Sequence, residues 1–256
     1  MGGVAYNNRK TGVKITHFPV IHCRKGSVGY KIEWWLSPLD TGDQTKPHLT
    51  MIYTSDTKPE YNSVNQAING GKGVDVLIHE MIVPAQVWTM KNTHMDDLPE
   101  LTDPAVVYLQ MVQNSSHSQQ GAFGHLLSLI EPKPRLTVAT HFPAADDTIA
   151  CAMKSVQEHF PDVRVYQGND ALSSDVRITW SSDLMVIKVT KEKIVELRGE
   201  ISDYEFCATL NLPDETPNPA KYSKNGTGDP EAQIDPTEQI PSCQSKQKCN
   251  YREDGY

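Results

Sequence analysis

The sequence predicts an α/β protein, a mixed sheet with helices packed on it. Three observations lead there. Two β-branched, apolar runs, Met51-Ile52-Tyr53-Thr54 and Val74 to Ile78, have the length and composition of buried strands. Stretches such as Phe123, Leu126, Leu127 and Ile130 carry apolar residues at helical spacing. The strand-like runs also end in groups that hold protons or metals: Asp56 follows the first, and His79 and Glu80 follow the second. Strand ends are where α/β folds present such groups.

The elements follow in order. From about Asn7 to Tyr53 the pattern is strands and hairpins. Val13 to Phe18 alternates in the β manner, and Tyr30 to Trp34 and Leu49 to Tyr53 flank a polar loop from Ser37 to Pro47. Glu60 to Asn69 reads as a short helix ended by Gly70-Gly71. Met81 to Leu101 mixes Trp88, methionines and acids, and is expected to form a helix with loops near a site mouth. Asp103-Pro104 opens a helix through Met111, with proline in its first turn. Ser118 to Ile130 is a further helix, with Ser118 expected as its N-cap. Leu136 to Ala139 is a strand, and Asp146 to Phe160 a helix with Ile149, Met153 and Val156 on one face. Val163 to Tyr166 is a short strand. Leu184 to Val189 is another, continuing towards Ile194. Past Leu210 the chain turns polar and proline-rich. Such a segment buries too little apolar surface to offset its chain entropy. The expected organisation is therefore a domain over residues 1–210 and a disordered tail over 211–256.

A net charge of −8 and a pI near 5.6 in 256 residues argue against a general nucleic-acid binder, which needs clustered Lys and Arg. No apolar stretch is long enough to span a bilayer, so no membrane role is expected. Of the five cysteines, Cys23, Cys151 and Cys207 lie in apolar surroundings and are expected as buried thiols. Cys243 and Cys249 sit together in the polar tail, paired in an oxidising compartment or free. Asn225-Gly226-Thr227 matches a glycosylation acceptor and is assigned no role.

Several pieces fall in a recognisable order: Phe18-Pro19-Val20-Ile21-His22, Ser27 to Ile32 with its Gly29-Tyr30, Thr54-Ser55-Asp56-Thr57, Asp75 to Glu80, Ser116-His117-Ser118, and Leu136 to Phe142 with His141. The set resembles the αββα-type metallo-β-lactamase fold, in its ribonuclease Z and arylsulfatase-like branch, over about Lys14 to Ile194. The family's first metal motif, His-x-His-x-Asp-His, has no counterpart in this chain. The expectation is thus the C-terminal portion of the fold.

What the resemblance implies is a zinc-dependent hydrolase. His22, Asp56 and His141 match the family's metal ligands, and a carboxylate such as Asp56 can bridge two cations while imidazoles suit zinc. Asp56 sits where the family has Gly-Asp-Thr, but Ser55 replaces the glycine; serine is accommodated if the turn keeps a negative φ. Glu80, in a match to His-Glu-Ala-Thr, and His117, in a match to His-Ser-Thr, are implied as a carboxylate–imidazole pair that delivers a proton to the leaving oxygen. His79 points to the other side of its strand and is expected to be packed or to support the site from behind. His94, Asp96 and Asp97 are expected as loop residues near the pocket, and Trp34, Trp35 and Trp88 as packing residues. His17, His48, His125 and His159 have no context that favours function.

The interval between His22 and Asp56 has the acidic tip Asp40-Thr41-Gly42-Asp43, too short and acidic for the family's basic arm, which disfavours transfer-RNA processing. Hydrolysis of a small phosphate or sulfate ester is the favoured reading. The alternative is a catalytically incomplete fragment or a noncatalytic binding protein. A part-fold leaves an open sheet edge and an uncovered apolar face, which favours a homo-oligomer or association with another chain.

Overall fold

A computed structural model of the chain describes residues 2–23, 25–141, 146–165, 176–181 and 185–197. The expected tail, together with Cys207, Cys243 and Cys249, lies outside the described residues.

The core is a mixed sheet of eight strands. β1 (Gly3–Asn8), β2 (Val13–Pro19), β3 (Val28–Trp35) and β4 (His48–Tyr53) form an antiparallel meander. β5 (Val76–Glu80), β6 (Leu136–Thr140), β8 (Arg177–Trp180) and β7 (Arg164–Val165) then continue parallel to β4, in the order β1-β2-β3-β4-β5-β6-β8-β7. A two-stranded ribbon, β9 (Val186–Val189) and β10 (Ile194–Leu197), stands apart from the sheet.

The parallel strands need crossovers, and helices supply them. α1 (Tyr61–Ile68) joins β4 to β5. α2 (Ala85–Thr93), α3 (Pro104–Ser116) and α4 (Gln120–Leu129) lie between β5 and β6, and α5 (Asp146–His159) follows β6. The stripes read from sequence do bury. Val64 and Ala67 of α1, Phe123, Leu126 and Leu127 of α4, and Met153 and Val156 of α5 pack on Ile52, Leu77, Ala139 and Ile178 of the sheet. Because side chains alternate along a strand, Met51, Val76, Ile78, Leu136 and Val138 face the other way. There they meet Ile187, Val189 and Ile194 of the ribbon. The mixed sheet with packed helices is thus as expected, and a β-ribbon forms the covering layer on the opposite face.

Several local expectations change. The stretch written as one strand running towards Ile194 is a hairpin, closed by Thr190 N–H donating to the Lys193 carbonyl. β1 and β8 were not anticipated in full. β8 is only four residues long and lies between β6 and β7, so its place depends on partners distant in sequence. α3 runs on to Ser116, beyond the expected Met111. Cys23 is exposed, because it sits in the loop between β2 and β3 and not in the apolar core.

Candidate functional site

The candidate site lies at the C-terminal ends of the parallel strands. β4 ends at Tyr53, and Thr54 N–H donates to the Ile78 carbonyl at 3.0 Å, so the chain follows β5 for one more residue. It then turns sharply at Ser55, whose φ is 59°. The negative φ that would accommodate a serine is thus not kept: the position adopts the left-handed conformation that a glycine would take without strain. The turn delivers Asp56. Thr57 and Lys58 are then sewn to the β2–β3 loop, with Ile21 N–H donating to Thr57 Oγ1 at 3.1 Å and Lys58 N–H to the Ile21 carbonyl at 2.8 Å.

Glu80 closes β5 and is completely buried. One carboxylate oxygen accepts from Thr57 N–H, and the other lies 2.7 Å from His117 Nδ1. The expected Glu80–His117 pair therefore forms. His117 is the residue that ends α3, with an extended backbone and its N–H donating to the Gln113 carbonyl. Ser118 is not the helix cap; Gln119 occupies that position. The Ser118 hydroxyl instead donates to the Thr57 carbonyl at 2.7 Å and ties the Asp56 loop to the His117 loop. No sequence pattern signals that long-range bond.

His141 follows β6 with φ 59°. Its Nε2 is 3.7 Å from Asp56 Oδ2, its ring stacks on that of His117 with centroids 5.3 Å apart, and Trp88 stands 6.2 Å away. Asp56, His117 and His141 each offer one ligand atom, all within 4.8 Å of one another. His22 lies beside them but outside this cluster: its ring meets His117 edge-on at 5.0 Å, and its Nδ1 is 3.0 Å from the Ser116 carbonyl. Of the three expected ligands, two converge. His117, expected only as a proton carrier, is the third member of the cluster. His94 is the exposed C-cap of α2 and is not among the three clustered residues.

Electrostatics sharpen the picture. Burial pushes the Glu80 carboxyl well above its ordinary range, helped by the Asp56 charge and opposed by hydrogen bonds from Thr57 and Ser118 N–H. Burial lowers His117 and His141, with Asp56 pulling both the other way. His141 is further depressed by the neighbouring rings of His117 and His22. Neutral imidazoles are the form that binds metal. Behind the site, His79 is fully buried against Phe123 with ring centroids 5.6 Å apart, which meets the expectation of a packed residue.

The donor set suits zinc. Two imidazoles and a carboxylate make a three-ligand site with a position left open, and zinc bonds of about 2.0–2.2 Å require ligand atoms roughly 3.3–3.6 Å apart, close to the 3.7 Å between His141 Nε2 and Asp56 Oδ2. With Nδ1 turned to Glu80, His117 keeps Nε2 as its uncommitted nitrogen. A buried carboxylate orienting a ligand imidazole in this way is a common support of metal sites.

Fold and site thus define a mixed α/β protein with a His/Asp cluster at the C-terminal edge of its parallel strands. No family model matches the chain, and no curated protein matches it.

Proposed function

We propose that the chain is a metal-dependent hydrolase of the metallo-β-lactamase type acting on a small phosphate or sulfate ester. The observation that carries this reading is the convergence of Asp56, His117 and His141, from three separate segments, with a buried carboxylate behind one of the imidazoles. Asp56 and His141 would hold zinc, with His117 Nε2 turned to the same centre. Bound there, zinc supplies positive charge that acidifies a water and draws electron density from an ester oxygen. The protein's own groups do the rest. Glu80 fixes the His117 ring through Nδ1, so that the other side of the imidazole can face the leaving oxygen and hold a proton for it. Trp88 stands beside His141, with ring centroids 6.2 Å apart.

A second reading is favoured by the small ligand set. Among the described residues the cluster offers three ligands, enough for one cation and few for a pair. If His117 Nε2 is committed to the metal, it has no proton to give. The chain is then a noncatalytic metal-binding protein or a catalytically incomplete one.

Equilibrium dialysis with zinc, followed by turnover of p-nitrophenyl phosphate and p-nitrophenyl sulfate, separates these readings. The hydrolase reading expects bound zinc and turnover, both lost in Asp56→Asn and His141→Ala. Zinc binding without turnover selects the second reading, and absence of zinc binding removes both. Glu80→Gln is expected to weaken zinc 10–100-fold, roughly the effect of losing a carboxylate behind a ligand histidine.

A further inference from the structure

At the other end of the sheet, where the parallel strands begin, a cavity of about 500 Å³ opens among four chain segments. The loop before β4 contributes Lys46, the connection into β5 contributes Lys72, the connection into β6 contributes Lys133 and Arg135, and the β9–β10 turn contributes Lys191. Five cationic residues line this space against a single acidic one, Asp75, in a chain whose net charge is −8. So local a reversal of sign is not a by-product of composition.

The carboxylates near the cavity are already engaged. Asp75 accepts from Arg135 Nη1 at 2.7 Å through one oxygen and from Thr50 N–H at 2.8 Å through the other. Glu33 lies 3.3 Å from Lys31 Nζ and 3.9 Å from His48 Nε2. Asp43 accepts from Thr45 N–H and its hydroxyl. Glu131, 3.6 Å from Lys133, is largely exposed, where an ion pair is weak.

Lys133 Nζ is committed to the Leu127 and Ser128 carbonyls and lies over the Phe160 ring, whereas two other ammonium groups are each held by one backbone bond. Lys72 Nζ donates to the Gln44 carbonyl at 2.7 Å, and Lys191 Nζ donates to the His48 carbonyl. Each bond uses one of an ammonium's three donors and leaves two for a ligand. Their rotamer entropy is already spent, which lowers the cost of binding. A concave space lined by one sign of charge also concentrates its field.

We propose that this cavity binds a compact, multiply charged oxyanion of the di- or triphosphate class. The cations stand on four separate segments around the space, an arrangement that rewards several negative charges over one. Pro47, Val74 and Pro132 supply its apolar wall. The one aromatic ring in the lining, His48, is stacked on Trp35 at 4.8 Å and its side chain is only 8% exposed, so it offers little ring face to a nucleobase. This site is independent of the hydrolase reading, since the His/Asp cluster lies beyond the far end of β5 and β6.

Isothermal titration of the metal-free protein with inorganic pyrophosphate and with tripolyphosphate, at fixed ionic strength, tests the proposal. Saturable one-to-one binding is expected, tighter than sulfate by at least 10-fold and weakening as salt rises. The double variant Lys72→Gln/Lys191→Gln, with its unliganded melting temperature unchanged, should lose at least 10-fold in affinity. Asp56→Asn should bind as the parent does. Absence of saturable binding, equal affinity for sulfate, or full affinity in the double variant would each overturn the proposal. Loss of binding in Asp56→Asn would assign the anion to the His/Asp cluster instead and overturn it equally.

Discussion

Ser55 holds Asp56 in place at a conformational cost. Its φ of 59° lies in the left-handed region, which costs a non-glycine residue about 1 kcal/mol or more. Ser55→Gly is therefore expected to raise stability by about 1 kcal/mol, read as a higher urea midpoint with an unchanged slope; a lower midpoint would mean that the serine side chain makes a compensating contact. His79 carries a second expectation. Its complete burial lowers its pKa from 6.5 to about 4, against a smaller opposing effect of its hydrogen bond to the Glu80 carbonyl. The unfolded chain takes up this proton near pH 6.5 and the folded one only near pH 4. The neutral ring thus contributes stability that is complete above pH 6.5 and is lost as the pH falls through about 4. Across that window the loss amounts to about 3 kcal/mol. The cost of His79→Asn, measured by denaturant unfolding, should accordingly shrink as pH drops from 7 to 4. A pH-independent difference would show that the ring is not held neutral. At this scale Asp56, Glu80 and His141 could be picked from sequence because each ends an apolar, β-branched run. The choice between His22 and His117 as third ligand could not, because both rings turn Nδ1 away, to the Ser116 carbonyl and to Glu80, and only the long-range placement of the loops brings His117 and not His22 into the cluster.

Among the elements, α4 and α5 approach each other closely. A Cβ placed on Gly124 would stand 2.4 Å from the Val156 carbonyl oxygen and 2.9 Å from its Cα, both backbone atoms that cannot swing aside. Gly124→Ala must push the two helices apart, and we expect a loss of about 2 kcal/mol, the usual cost of overpacking. Thermal unfolding of the variant checks this; an unchanged melting temperature would mean that the helices slide freely. The helical stripes were legible because each buries one face on a single sheet. The β9–β10 ribbon was not, since Lys191 and Glu192 in its turn read as polar punctuation within one longer strand. Short strands such as β8 carry too little periodicity to be placed without their partners.

For the whole molecule, the ribbon covers only part of the sheet's second face. It lies over β5, β6 and Met51 of β4, while the rows Tyr6–Ile15–Ile32 and His17–Tyr30–Tyr53 cross β1 to β4 on the same face. Tyr6, Tyr30, Trp34 and Tyr53 are each more than a third exposed there. A broad aromatic surface next to the edge strand β1 favours self-association. Sedimentation velocity is expected to report a concentration-dependent species that Tyr30→Lys with Trp34→Lys abolishes. One concentration-independent monomer would dismiss the expectation.

By itself the sequence determined the class of fold and the ends of the strands that carry the candidate site, because burial periodicity and strand-terminal polar groups are local properties of the chain. Only the tertiary structure decided that His117 joins Asp56 and His141, that Ser118 ties two loops and caps no helix, and that five cations from four segments gather around one cavity. Those outcomes depend on contacts between residues far apart along the chain, and neighbouring residues carry no trace of them.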